Sequence, residues 1–435
     1  MTMRLAANLL NNGAHPGSWR YGTTPPAAGL DIRHFVAAAQ IAERGKMDAV
    51  FMADVPAASV HSIGTAPPEW AILDPLAVMA AIAVQTERIG LVPTISSTFS
   101  APYDLARRLS SLDFISNGRA GWNIVTSASP EAATNFGLDE LPTRAQRYER
   151  AVAVIETVNA LWESWDADAL VADPSVGRFV DTSRLHELDG TKLARGPLQL
   201  PPSPQRRLPI VQAGGSAQGV DLGAGYADAV FANQPILPDA IAFRDRVRER
   251  AVQFGRTPDE VKILLGREVI IESTEQAARE VLTELQELSG GTEYWVSRLA
   301  AQLGIDSEAL DLDHRVPPEL IAEDSTPEVG SVGFRHAYLR LARSGQTVRE
   351  LLGQFGVAHR LVAGTPEMIA DHLAEWFLAG AADGFNVLPA RLPIDLERFV
   401  AEVIPILVQR KLFRREYEAS TFGRNLGVPR FGPCR

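Results

Sequence analysis

Two apolar runs end in hydroxyls. Ile89-Gly-Leu-Val-Pro-Thr94-Ile-Ser96 leads into Ser97 and Thr98, and Arg119-Ala-Gly-Trp-Asn123-Ile-Val-Thr126-Ser127 finishes on Asn123, Thr126 and Ser127. Small polar groups at the end of a buried strand can hydrogen-bond a ligand, so two such strands side by side would deliver a row of donors and acceptors to one rim. A third run, Leu208-Pro-Ile-Val-Gln-Ala213, ends in Gly214-Gly215-Ser216. Backbone N–H groups freed by the glycines, the Ser216 hydroxyl and the positive end of a following helix would make an anion cradle. A tight turn with a serine cap explains the same residues. Gly364-Thr-Pro-Glu367 has a similar form, but a threonine cap before proline at the first helical position accounts for it.

Charged and aromatic candidates stand nearby. Asp54 closes Val-Phe-Met-Ala-Asp54, where a carboxylate could take a ligand N–H or O–H, or cap the next turn. Arg144 and Tyr148 are four residues apart in a helical stretch, so both could face one ligand, or neither. His15, in Gly13-Ala-His-Pro-Gly-Ser-Trp19, is the one histidine candidate for chemistry, against packing or a turn contact.

These residues need a frame that brings strand ends together. Strand-like and helix-like segments alternate: strands at Leu5 to Leu10, Met47 to Ala53, Ile89 to Ser96, from Arg119, Leu208 to Ala213, Ala229 to Ala232, Val261 to Ile271 and Gly384 to Leu388. Helices are expected at Asp31 to Arg44, after Asp74-Pro75, at Pro102 to Ile115, behind the Thr143-Arg-Ala-Gln146 capping box, and at Leu396 to Gln409. A weak repeat, Gly45-x-x-Asp48, Gly225-x-x-Asp228 and Gly380-x-x-Asp383, places the same helix-to-strand turn three times. Eight alternations predict an α/β fold, a (β/α)8 TIM barrel with insertions at about 166–207 and 274–364, forming a single domain over 1–435. Neither insertion shows a strand set of its own. A doubly wound open sheet is the rival.

The totals narrow the function. With 46% hydrophobic and 22% charged residues the chain reads as an ordinary globular protein, and its net charge of −11 shows no basic run, against nucleic acid or an anionic membrane as partner. A single cysteine, Cys434, supports no disulfide framework or cysteine-based metal site, and no metal is expected; with no signal-type start or span, a cytoplasmic location is expected. No phosphate-binding P-loop, dinucleotide fingerprint, His-Glu-x-x-His or Gly-x-Ser-x-Gly is present.

A series of short motifs runs through the chain in order: His15-Pro-Gly-Ser-Trp-Arg20, Phe51-Met-Ala-Asp54, Thr86-Glu-Arg-Ile-Gly-Leu91, Pro102-Tyr-Asp-Leu-Ala-Arg107, Gly118-Arg-Ala-Gly-Trp-Asn-Ile-Val-Thr-Ser127, Arg147-Tyr-Glu-Arg-Ala151, Leu161-Trp-Glu-Ser-Trp165, Gln212-Ala-Gly214, Ala382-Asp-Gly-Phe385 and Phe413-Arg-Arg-Glu-Tyr417. On these the chain resembles the bacterial-luciferase-like flavin monooxygenases, in the nitrilotriacetate and dibenzothiophene-sulfone monooxygenase branch. The resemblance implies an enzyme that takes FMN already reduced (FMNH2) by a separate NAD(P)H:flavin reductase, and oxygenates a small organic substrate with O2 through a peroxyflavin. It also implies a homo-oligomer, dimer or tetramer. By resemblance Asp54, Thr94, Asn123, Ser127, Tyr148, Gly215 and Ser216 match flavin-contacting positions, with His15 the candidate for catalysis. Where the family tends to carry histidine, four residues before Tyr148, this chain has Arg144, which keeps a cation but not a neutral imidazole. Trp19, Phe51, Phe99 and Trp122 are expected to wall the site. The alternatives are a deazaflavin (F420)-dependent oxidoreductase on the same barrel and a flavin-binding protein without turnover.

Overall fold

The computed structural model describes residues 2–58, 72–190, 192–321, 332–354 and 359–431, the side chains of 332–334, 336, 337 and 431 excepted. Cys434 and the acidic stretch 323–327 lie outside the described residues.

Local signals set where helices begin. The Asp31 carboxylate accepts from Arg33 N ahead of Ile32–Arg44, Asp74 from Ala77 N ahead of Pro75–Ala83, and Thr143 forms its capping box with Gln146 on Arg144–Trp162. Pro102–Ile115 starts on its proline. The closing helix is continuous from Ile394 to Gln409 but widens to a π turn at Phe399–Val403. Pro405 follows at once; it has no N–H to give and crowds the preceding turn, and the wider turn accommodates it.

Eight parallel strands close into a barrel. In ring order they are Arg4–Asn8, Ala49–Met52, Gly90–Ser96, Trp122–Val125, Ile210–Ala213, Ala229–Ala232, Lys262–Ile271 and Gly384–Pro389, which pairs back to the first. One apolar layer lies between strands and helices and includes Leu5, Leu91, Trp122, Phe243 and Phe385. A second fills the lumen with Ala6, Phe51, Val92, Val211, Phe231 and Leu264, closed from beneath by Phe422 and Leu426. Phe422 presses so close that a Cβ on Gly90 would meet its ring at 2.4 Å, so only glycine fits there.

The Gly-x-x-Asp repeat has a definite task at the amino end of the barrel. Asp48 accepts from Leu5 N (2.7 Å), Asp228 from Ile210 N (2.8 Å) and Asp383 from Ile263 N (2.8 Å). Each carboxylate thus takes an N–H at the start of a neighbouring strand. Each is also met by arginine: Asp48 by Arg414, Asp228 by Arg430, and Asp383 by Arg244 and Arg248 at 3.0 and 2.9 Å.

Three sequence expectations are corrected. The first insertion does hold strands, an antiparallel hairpin of Leu170–Asp173 and Arg178–Val180; both are too short and exposed to show alternation. The second insertion returns through a strand, Arg360–Gly364, which pairs with Arg267–Ile271 where the short sixth strand no longer reaches. The strand expected from Arg119 is continuous only from Trp122; Arg119 to Gly121 meet Leu91 in a single parallel bridge, and the buried Arg119 guanidinium donates to the carbonyls of Ala83, Thr86, Ile89 and Ser116. The second insertion also carries its own apolar cluster, centred on Trp295, Leu303, Leu339 and Leu351.

Candidate active site

A cavity of about 450 Å³ opens at the carboxyl ends of the strands, the end where barrel enzymes build their sites. Five elements wall it. Asp54 follows the second strand, Ser127 follows the fourth, Glu131 comes from the short helix Pro130–Asn135, Arg144, Arg147 and Tyr148 come from the first turns of the capping-box helix, and Gly215 and Ser216 form the turn after the fifth strand. The structure therefore gathers Asp54, Ser127, Arg144, Tyr148, Gly215 and Ser216 around one hollow.

Each side chain is held by its neighbours. Ser127 has φ +46°, a left-handed conformation uncommon for a residue with a Cβ, and its Oγ donates to Ser96 Oγ at 2.9 Å. Strain of this kind persists where surrounding structure enforces it, often at ligand sites. Thr94 and Asn123 face each other in register one step down the third and fourth strands, with Asn123 Nδ2 donating to Thr94 Oγ1 at 2.8 Å. Neither lines the cavity itself. Asn123 Oδ1 is buried without a hydrogen-bond partner. Ser216 caps the helix Ala217–Tyr226 by accepting from Gly219 N (3.1 Å), and its Oγ lies 3.4 Å from the Tyr148 hydroxyl.

Arg147 is the residue that sequence reasoning missed. It lines the cavity with 5% of its surface exposed, and its Nη1 donates to the carbonyl of Pro142. Its Nε is buried without a partner, and no carboxylate meets it among the described residues. Burial, then the neighbouring Arg144, lowers its pKa. A buried guanidinium without an anion is costly, so its partner is expected from outside the chain. The signal was present: Arg147 is three residues from Arg144 and beside Tyr148 on the start of a capped helix, the end that favours anions. Arg150, one turn on, donates to the carbonyls of Ser97, Thr98 and Ser100 at 3.1 Å each and ties the helix to the third strand's loop.

Asp54 is half-buried, and desolvation, then the nearby Asp74 carboxylate, raises its pKa to about 6. It can therefore hold or release a proton close to neutral pH.

His15 lies apart from the cavity. It is buried, its ring 5.2 Å from that of Trp295 of the second insertion and tilted 44° to it, and desolvation lowers its pKa to about 3. Its Nδ1 accepts from Gly17 N (3.2 Å), so the neutral ring carries its proton on Nε2. None of the expected aromatic walls lines the cavity either. Trp122 is fully buried behind the barrel, its indole donating to Ile95 O; Phe51 packs on Phe231 in the lumen; Phe99 stacks on Phe136; Trp19 borders a separate surface groove. For Trp122 strand alternation decides this: successive side chains point to opposite faces, and Trp122 falls on the helix side of the strand that turns Asn123 inward.

With this geometry in place, comparisons with known proteins converge. The luciferase-like monooxygenase family model matches residues 14–383. N-acetyl-S-(2-succino)cysteine monooxygenase of Bacillus subtilis (strain 168) is 38% identical over 98% of this chain and 96% of that protein. Nitrilotriacetate monooxygenase component A of Aminobacter aminovorans is 38% identical over 96% and 95%. The solved structure of EDTA monooxygenase from Chelativorans sp. BNC1 superposes with a TM-score of 0.82 at 34% identity, covering 99% of both chains. A rim of strand-end hydroxyls, an anion corner with buried arginine and full-length similarity to these oxygenases agree: the chain belongs to the luciferase-like monooxygenase family and is a flavin-dependent monooxygenase.

Proposed function

We propose that this chain is the oxygenating component of a two-component system that uses FMN reduced by a separate NAD(P)H:flavin reductase and oxygenates a small organic molecule with O2. The observation that carries the FMN assignment is Arg147, a buried guanidinium that meets no carboxylate among the described residues, facing the same hollow as Ser216, the helix start behind it, Tyr148 and Arg144. A phosphate suits that corner: a dianion satisfies the guanidinium, and its oxygens take N–H and O–H donors. Ser127 and Asp54 stand across the cavity for the polar edge of the ring system, with Thr94 and Asn123 beneath. When bound, reduced flavin supplies the electrons that activate dioxygen.

The protein's share is to bind, orient and keep water out. Arg147 and Arg144 anchor the anionic tail, Ser127 presents its hydroxyl from an enforced conformation, and Asp54 takes or releases a proton near pH 6. His15, a buried neutral ring against Trp295, suits a positioning role, fastening the loop after the first strand to the second insertion, better than acid chemistry. Two relatives at 38% identity are named for polycarboxylates, so amine- and thioether-linked carboxylates are the substrate class to test first. Homo-oligomerisation is part of the same reading, supported by the apolar tip of the first insertion, where Val176 and Phe179 are 69% and 70% exposed.

Anaerobic titration with reduced FMN and with reduced deazaflavin, followed by turnover with a reductase, NADH, O2 and such carboxylates, tests the proposal. Saturable FMN binding and an oxygenated product are expected. Preference for deazaflavin, or flavin binding with no product across a broad panel, would overturn it.

A further inference from the structure

The turn at Gly215 and Ser216 also borders a second cleft of about 600 Å³, lined by the same two residues and Arg144, then by Arg246 and Arg250 of the helix Leu237–Gln253 and by Arg340. Its size is within the about 300–1,000 Å³ usual for small-molecule sites. Four arginines face it with two carboxylates, Asp221 and Glu249; Asp221 and Asp239 offset Arg250 and Arg340, so a small positive balance rests on Arg246 and Arg144 against Glu249. Two of the arginines are held in place. Arg250 pairs with Asp221 at 2.7 Å, and Arg340 with Asp239 at 2.9 Å and Gln234 at 3.0 Å. Arg246 rests over the Phe243 ring at 5.6 Å, with no ion pair among the described residues.

The shared wall gives the cleft its meaning, and the argument rests on the flavin reading above. An anion seated at Ser216 would border both the first cavity and this cleft, as Arg144 does. A ligand that continued past its first phosphate would enter a positive cleft, where arginine forks suit a second phosphate and the Val220 and Gln218 side chains offer an apolar and an amide contact to a base. We propose that this cleft is a subsite for the second phosphate and adenosine of a flavin dinucleotide, so that the enzyme binds reduced FAD as well as reduced FMN. Arginine at position 144 fits this role because its longer fork spans the junction, which an imidazole does not.

Anaerobic titrations of the full chain with dithionite-reduced riboflavin, FMN and FAD test it, on the native protein and on Arg246→Glu and Arg246→Gln. FAD is expected to bind no more than about tenfold more weakly than FMN, and Arg246→Glu to weaken FAD by about tenfold or more while FMN changes less than about twofold. Arg246→Gln, which removes the charge without reversing it, should fall between. FAD binding more than about tenfold weaker than FMN in the native protein, or Arg246→Glu shifting both flavins equally, would overturn the subsite and leave the FMN reading standing. Failure of FMN itself to bind would remove the flavin reading, and this proposal with it.

Discussion

The two ends of the barrel treat polar groups in opposite ways. At the amino end, Asp48, Asp228 and Asp383 each accept a strand N–H and meet an arginine, Glu43 accepts from Glu87, Arg88 and Ile89 N, and the Arg119 guanidinium is occupied by carbonyls. At the carboxyl end, Arg147 Nε and Asn123 Oδ1 are buried without partners, Ser127 is held left-handed, and Asp54 sits near mid-titration at pH 6. Both ends bury charge and both hold unpartnered atoms, Asp228 Oδ1, Arg244 Nε and Arg414 Nη1 at the amino end among them. The difference is that the amino-end groups belong to ion pairs within the chain, whereas Arg147 meets no carboxylate among the described residues and lines a cavity with Asp54 and Ser127.

Breaking the amino end should cost stability and spare binding. Asp228→Ala removes one partner of a buried pair and strands Arg430 and Ile210 N; a loss of about 3–5 kcal/mol is expected by chemical denaturation, with the flavin affinity of the folded fraction unchanged. The carboxyl end should behave in reverse. Arg147→Met is expected to weaken reduced FMN by roughly 10–100-fold, the worth of a charge-assisted contact, while riboflavin, which has no phosphate, is little affected and stability holds or rises. Equal losses for FMN and riboflavin would place Arg147 in the structural set.

Thr143→Ala tests the helix that carries the anion corner, and about 1 kcal/mol of stability should be lost with the cap. The smallest effect is a pH dependence. Asp54 is ionised above about pH 6 and neutral below it, so flavin affinity should fall as pH drops through 6 if the carboxylate accepts from the ring, and Asp54→Asn should flatten that limb. The stability sign is opposite. A raised native pKa means the folded state holds the proton more tightly, so Asp54 contributes most below about pH 4, and that contribution is lost as pH rises through 6.

Much of this was legible before any coordinates. Capping chemistry is local, and Asp74-Pro75, Thr143 with Gln146, and Ser216 all begin helices where their side chains imply. Strand ends rich in hydroxyls pointed to the carboxyl-end rim, and six of the flavin-site candidates share one cavity there. Aromatic walls were misread because Trp122 and Phe51 look alike as exposed-end aromatics until the register decides which face each takes. Arg147 was passed over because burial and a missing counter-ion are properties of the packed molecule. The repeated aspartates were seen as turn residues; that each reaches an N–H on a neighbouring strand is visible only when the ring is closed.

The sequence by itself determined the alternation of strands and helices, the helix caps and the polar strand ends, because periodicity, capping and turn chemistry act within a few residues. Tertiary structure alone decided that the Gly215–Ser216 turn borders two hollows, that His15 is a buried neutral ring against Trp295, and that Arg147 meets no carboxylate among the described residues. Those outcomes depend on distance between remote segments and on exclusion of water, and no local pattern encodes either.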